Sequence, residues 1–130
     1  RLVPVLGANH LAPLQKQLAH GELPIIAYPQ DVFMGMLMNR DILPRLDHVD
    51  DVRRRTETAL TIAALHMAGA GLGVAWVPLT LASRPIDEGM LVNLSNQLPS
   101  TTMHLIARRL KAPVAEQHER FWQSLITSTL

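Results

Sequence analysis

The sequence predicts an α/β fold in which a largely parallel sheet is covered by helices. Two observations carry that expectation. Short β-like runs alternate with helical stretches along the whole chain. Most of the strand-like runs are also apolar, without the in–out alternation of a half-exposed sheet, which marks strands buried on both faces.

Each element has a local reason. Residues 1–7 (RLVPVLG) read as a strand, and residues 11–20 as a short helix stopped at Gly21. Residues 23–28 (LPIIAY) form a buried strand ended by Pro29. Asp31 is positioned to N-cap a helix running to about residue 43, because its carboxylate can accept unpaired N–H groups of the first turn. A strand follows between residues 48 and 57. Thr58 or Thr61 then opens an Ala-rich helix closed by Gly69, Gly71 and Gly73. Residues 73–77 (GVAWV) are a strand stopped by Pro78, followed by a short helix at 79–83 and strands at 90–94 and 102–108. Pro113 sits near the start of a last helix, where a missing N–H is tolerated. Val114, Phe121, Trp122, Leu125 and Ile126 mark one face of it.

Composition narrows the function classes. With 130 residues, 48% of them hydrophobic, the chain can build one ordinary domain with a real core. Lys+Arg 12 against Asp+Glu 11 gives a net charge of +1, so no broad basic footprint for nucleic acid is present. The absence of cysteine removes disulfides, thiol nucleophiles and Cys-type zinc sites, and it fits a reducing compartment. No apolar run is long enough to span a bilayer, and the start does not resemble a signal peptide. The chain opens on Arg1, and the expectation is a piece of a longer protein.

Several motifs invite chemistry and fail on spacing. In AGAGLGVAWVP (68–78) the glycines are spaced G-x-G-x-G, and they follow a helix and precede a strand. That reverses the order of a dinucleotide phosphate site, so a helix C-cap with close helix-to-strand packing is expected. The six histidines show no paired metal-ligand spacing, and no nucleophile elbow or Ser, His and acid grouping is present. The chain therefore reads as a non-enzyme without cofactor or metal. DDVRRRTET (50–58) reads as a solvated edge strand or subunit contact; the alternative is that one of Arg53, Arg54 and Arg55 meets an anion in a cleft.

In open α/β sheets, ligands bind beyond the carboxyl ends of the strands. Those ends are Tyr28, Pro29, Gln30 and Asp31; Thr58 to Thr61; and Trp76 to Pro78. Tyr28 and Gln30 offer hydrogen-bonding groups, Thr58 and Thr61 hydroxyls, and Trp76 a wall. Free N–H groups at the starts of the helices after Asp31 and Thr58 can receive an anion. The adjacent VFMGMLMNR (32–40) holds three of the six methionines. On a helix, Met34 and Met38 share a face with Ile42, while Met36 looks the other way. Met36 and Met38 are expected to be packing. Met34 lies in the first turn beside the proposed site.

At LVPVLGANHLA, LPIIAYP, ALHMAGAGLGVAWVP and GMLVNLS, the chain resembles LysR-type transcriptional regulators. These segments match, in order, the family's first hinge strand, the opening strand of its second effector subdomain, its helix–GLG–strand–Pro signature and its returning hinge strand. The resemblance implies a periplasmic-binding-protein-like type II effector domain. On it, residues 1–7 are a hinge strand, 8–90 the second subdomain, 91–96 the returning hinge strand, and 97–130 the C-terminal part of the first subdomain. It further implies a cytoplasmic homo-oligomer that binds a small-molecule or anion effector, reaching DNA only through an N-terminal domain not in this sequence. YPQDVFMGMLMNR, GLGVAWVP and PVAEQHERFW resemble the hypochlorite-responsive branch most, which carries an oxidation-sensing role onto Met34 alone. Two other readings share the architecture: a solute-binding protein of a transport system, and one lobe of an enzyme. A secretion signal upstream would favour the first of these; a winged helix-turn-helix there would favour the regulator.

Overall fold

The structure, a computed structural model, describes residues 1–128. β1 (Leu2–Gly7) is the middle strand of an antiparallel three-stranded sheet, flanked by β4 (Ala75–Pro78) and β5 (Leu91–Asn93). Its registers are Val3 opposite Val77 and Leu6 opposite Val92. β2 (Glu22–Ala27) and β3 (Asp51–Glu57) form a parallel pair. The two sheets meet at Val74, whose N–H donates to the Pro24 carbonyl at 2.9 Å and whose carbonyl accepts from Ile26 N–H at 2.9 Å. The expected largely parallel sheet is thus corrected to a mixed one. Strand–helix alternation brings parallel strands together around β2, but β1 runs against both of its neighbours.

Helices α1 (Leu11–Ala19), α3 (Thr61–Gly69) and α4 (Leu79–Asp87) pack on this framework. Leu2, Val5, Leu23, Ile25, Ile26, Val74 and Val77 are almost wholly buried. Each contributes roughly 1.5–3 kcal/mol of transfer free energy. The glycines after α3 act as expected. Gly71 adopts φ +82, its N–H donates to Ala68, and Leu72 N–H reaches back to Met67 at 3.1 Å. That pair of bonds is a Schellman cap. Gly73 then lets the chain approach β2, since a Cβ there would lie 3.1 Å from the Pro24 carbonyl oxygen.

The helix after Pro29 is built differently from expectation. α2 spans Phe33–Leu37, widens into a π turn over Met38–Ile42, and ends in a 3-10 turn at Leu43–Arg45. The π turn precedes Pro44, whose ring would strike the Arg40 carbonyl in a continued α-helix. Asp31 does not cap it: the cap position is Val32, with extended backbone and no side-chain bond. Pro29 accepts the Val32 N–H at 3.3 Å, so a turn closes where the carboxylate was expected.

Residues 102–108 are strand-like in composition but form no ladder with any described residue; only Thr101 bridges to Leu2. Leu105 and Ile106 stand 81% and 71% exposed. The final helix α5 (Glu116–Thr127) starts three residues after Pro113, and Phe121 and Ile126 on its apolar face are exposed. Arg109 holds it to the preceding segment, pairing with Glu119 and lying 4.9 Å over the Trp122 ring.

Candidate functional site

The parallel pairing of β2 and β3 brings two of the three proposed strand ends side by side. Thr58 N–H donates to the Ala27 carbonyl at 3.0 Å, extending the ladder by one residue. Tyr28 to Asp31 and Thr58 to Thr61 therefore leave the sheet from one edge. Gln30 and Asp31 are exposed there; Pro29, Thr58 and Thr61 are half-buried. The Thr58 hydroxyl accepts the Leu60 N–H at 3.1 Å, which turns the chain into α3. Thr61 is the first residue of α3, behind an extended Leu60, so unpaired N–H groups of that first turn lie at this end.

Tyr28 is buried, and its hydroxyl donates to the Trp76 carbonyl at 2.9 Å. Burial pushes its phenol pKa up to about 12, partly opposed by a hydrogen bond to the Thr61 side chain. The phenol therefore ties the β2 end to β4 and α3, and its proton is already committed. Because the folded-state value lies above the ordinary 10.0, the neutral phenol's contribution is complete below pH 10 and is lost as pH rises through about 12. Chemical denaturation between pH 9 and pH 12 is expected to cost the wild type roughly 2 kcal/mol more than Tyr28→Phe. Parallel pH curves for the two proteins would contradict this role.

Trp76 is not a wall of the site. It pairs with Pro4 in the sheet, its side chain is fully buried, and its indole N–H donates to the Pro99 carbonyl at 2.7 Å. A strand covered on both faces gives its sequence no sign of which way the ring turns. Met34 is only 8% exposed and packs with Met38 and Ile42, the face expected for it. Met36 is 53% exposed, which corrects its assignment to packing.

Two residues matter more than their sequence suggested. Gly35 sits against the loop that leaves β2, where a Cβ would lie 1.8 Å from the Pro29 carbonyl oxygen. A glycine in the middle of an otherwise apolar helix was the available signal. Among the three arginines of β3, Arg53 pairs with Glu22 at 2.9 Å and Asp51 at 2.6 Å. Arg55 is the extra residue of a bulge, since Ile25 faces Arg54 and Ile26 faces Thr56. Arg54 lines a small cavity with Tyr28, Gly35, Met38 and Asn39. That cavity, about 10 Å³, holds one water at most. This edge therefore holds no enclosed pocket among the described residues. Among the described residues no His, Asp and Glu cluster is arranged to hold a metal, and no helix is long and apolar enough to cross a membrane.

The sequence model of the LysR substrate binding domain matches residues 1–129, and the chain belongs to that family. Over 127 residues it is 26% identical to the HTH-type transcriptional regulator YjiE of Escherichia coli K12, covering 96% of this chain and 41% of that protein. It is 25% identical over 127 residues to the HTH domain-truncated transcriptional regulator QseD of Escherichia coli O157:H7, covering 96% and 51%. The chain thus spans about half the length of these relatives or less. Its fold is similar to the apo regulatory domain of HypT from Salmonella typhimurium, with TM-score 0.65 at 21% identity over 96% of this chain and 59% of that one. HypT is described as a hypochlorite-specific LysR-type transcriptional regulator, and its regulatory domain also has a bromide ion-bound structure with TM-score 0.62.

Proposed function

We propose that the chain is the effector-sensing and oligomerising portion of a LysR-type DNA-binding transcriptional regulator that works in the cytoplasm. Residues 1–7 and 91–96 act as the two hinge strands, 8–90 as the second effector subdomain, and 97–130 as part of the first. The observation that carries this reading is the shared exit of β2 and β3. It places Tyr28 to Asp31 beside Thr58 and Thr61, with the start of α3 at the same edge. A small molecule or anion is held there, against hydroxyls and free backbone N–H groups. Trp76 supports this edge through its carbonyl, not through its ring.

The oxidant-responsive form of the reading gives Met34 the sensing role. Sulfoxide formation would place a polar group in the packing between α2 and the sheet, so oxidation favours a rearranged state. Support comes from the position of Met34 in the first turn of α2 and from the likeness of the fold to HypT, a hypochlorite-specific LysR-type transcriptional regulator. Burial makes the test sharp, because Met36 and Met90 are 53% and 56% exposed against 8% for Met34. Under mild hypochlorite, peptide mass spectrometry is expected to find Met34 sulfoxide at or before the rate of Met36. Oxidation of Met36 and Met90 to completion while Met34 stays intact would remove Met34 from the mechanism.

A further inference from the structure

Away from the β2–β3 edge, an open depression of about 400 Å³ lies between the end of the α2 segment and residues 95–100. None of Tyr28 to Asp31, Thr58 or Thr61 lines it. Two guanidiniums reach one residue there: Arg1 donates to the Ser100 hydroxyl at 2.5 Å, and Arg45 donates to the Ser100 carbonyl at 2.9 Å. His48 is a third nitrogen-bearing group on the rim, and no carboxylate lines the depression.

The acids nearby are engaged outside it. Asp41 takes two hydrogen bonds from Arg40, at 2.7 and 2.8 Å, and one from the Thr101 hydroxyl at 3.1 Å. Asp47 lies 3.7 Å from His48 and is almost fully exposed. Among the described residues, neither Arg1 nor Arg45 has a carboxylate within ion-pair distance, whereas Arg40, Arg53, Arg84, Arg109 and Arg120 each do. Gln97 accepts from Gln15 at 3.0 Å through its oxygen, which leaves its amide N–H groups without a partner among the described residues. Arg40, with Arg45 adding to it, holds the Asp41 carboxyl below its usual range, but no carboxylate lines the space between Arg45 and Arg1, and an anion bound there would relieve their mutual repulsion.

We propose that this depression binds a compact, multiply charged oxyanion of the phosphate class. Arg1 and Arg45 supply paired, planar donors, and His48 and the Gln97 amide complete the set. The ligand would join the start of β1 and the segment after β5 to the end of the α2 segment, three parts of the chain distant in sequence.

The test is a titration of the purified chain with inorganic phosphate, against sodium chloride at matched ionic strength. Saturable binding is expected, with amide shifts in residues 95–100 and not in 58–61. Arg1→Ala and Arg45→Ala should each weaken phosphate about tenfold, the loss expected for one charge-assisted contact. Arg120→Ala, which removes the same charge from exposed α5, should leave affinity within about twofold. Equal weakening by Arg120→Ala would overturn the proposal, as would chloride reproducing the phosphate shifts. The shift pattern is read on the unsubstituted chain, so a variant that failed to fold would not leave the question open.

Discussion

Gly35→Ala is expected to destabilise the protein by about 3 kcal/mol, lowering its melting temperature by roughly 10 °C. The added methyl would sit 1.8 Å from the Pro29 carbonyl oxygen, with the Pro29 carbonyl carbon at 2.7 Å and the Gln30 Cα at 3.2 Å behind it. All three are backbone atoms, so no side chain can swing aside. Relief requires α2 to lift from the loop, which pulls Met34 and Met38 out of the core face they share with Ile42. Thermal and urea unfolding measure the loss directly. Near wild-type stability for Gly35→Ala would mean that α2 does not rest on this loop. The proposed site would feel the same displacement, because Pro29 to Asp31 form its nearer rim.

Trp76→Ala is expected to cost still more, about 4–5 kcal/mol. The ring is fully buried, and its loss opens a cavity against β4. It also strands the Pro99 carbonyl that accepts the indole N–H. Trp76→Phe separates the two effects, since it keeps much of the packing and removes the bond; roughly 1–3 kcal/mol is expected for it. Urea denaturation of the two variants checks the ordering. Equal losses for alanine and phenylalanine would assign the whole effect to the bond, contrary to the packing described.

Much of the fold was legible because each element carries a local signal. The apolar run at 23–28 and the glycine series after α3 have one reasonable reading each, and both hold in the structure. Strand direction was not legible. Nothing within LVPVLG says that its neighbours run antiparallel; the α4 crossover makes β4 and β5 parallel to each other, and only their pairing shows both opposed to β1. Asp31 has the composition of a cap but stands one residue too early, behind Val32. Residues 102–108 have strand composition without a strand partner among the described residues, so propensity alone could not decide them. At the proposed site, the strand-end rule found Tyr28, Thr58 and Thr61 together at one edge. It misplaced the Trp76 ring, because a buried strand presents two apolar faces and the rule does not choose between them.

The meeting of the two sheets at Val74 has a mechanical consequence. Among the described residues, the β2–β3 pair is hydrogen-bonded to the antiparallel sheet at two places: through the Val74 and Ile26 amides, and through the Tyr28 hydroxyl on the Trp76 carbonyl. The edge that presents Tyr28 and Thr58 is therefore anchored to β4 at both Val74 and Trp76, so a displacement arising at that edge is passed to the strand that pairs with β1.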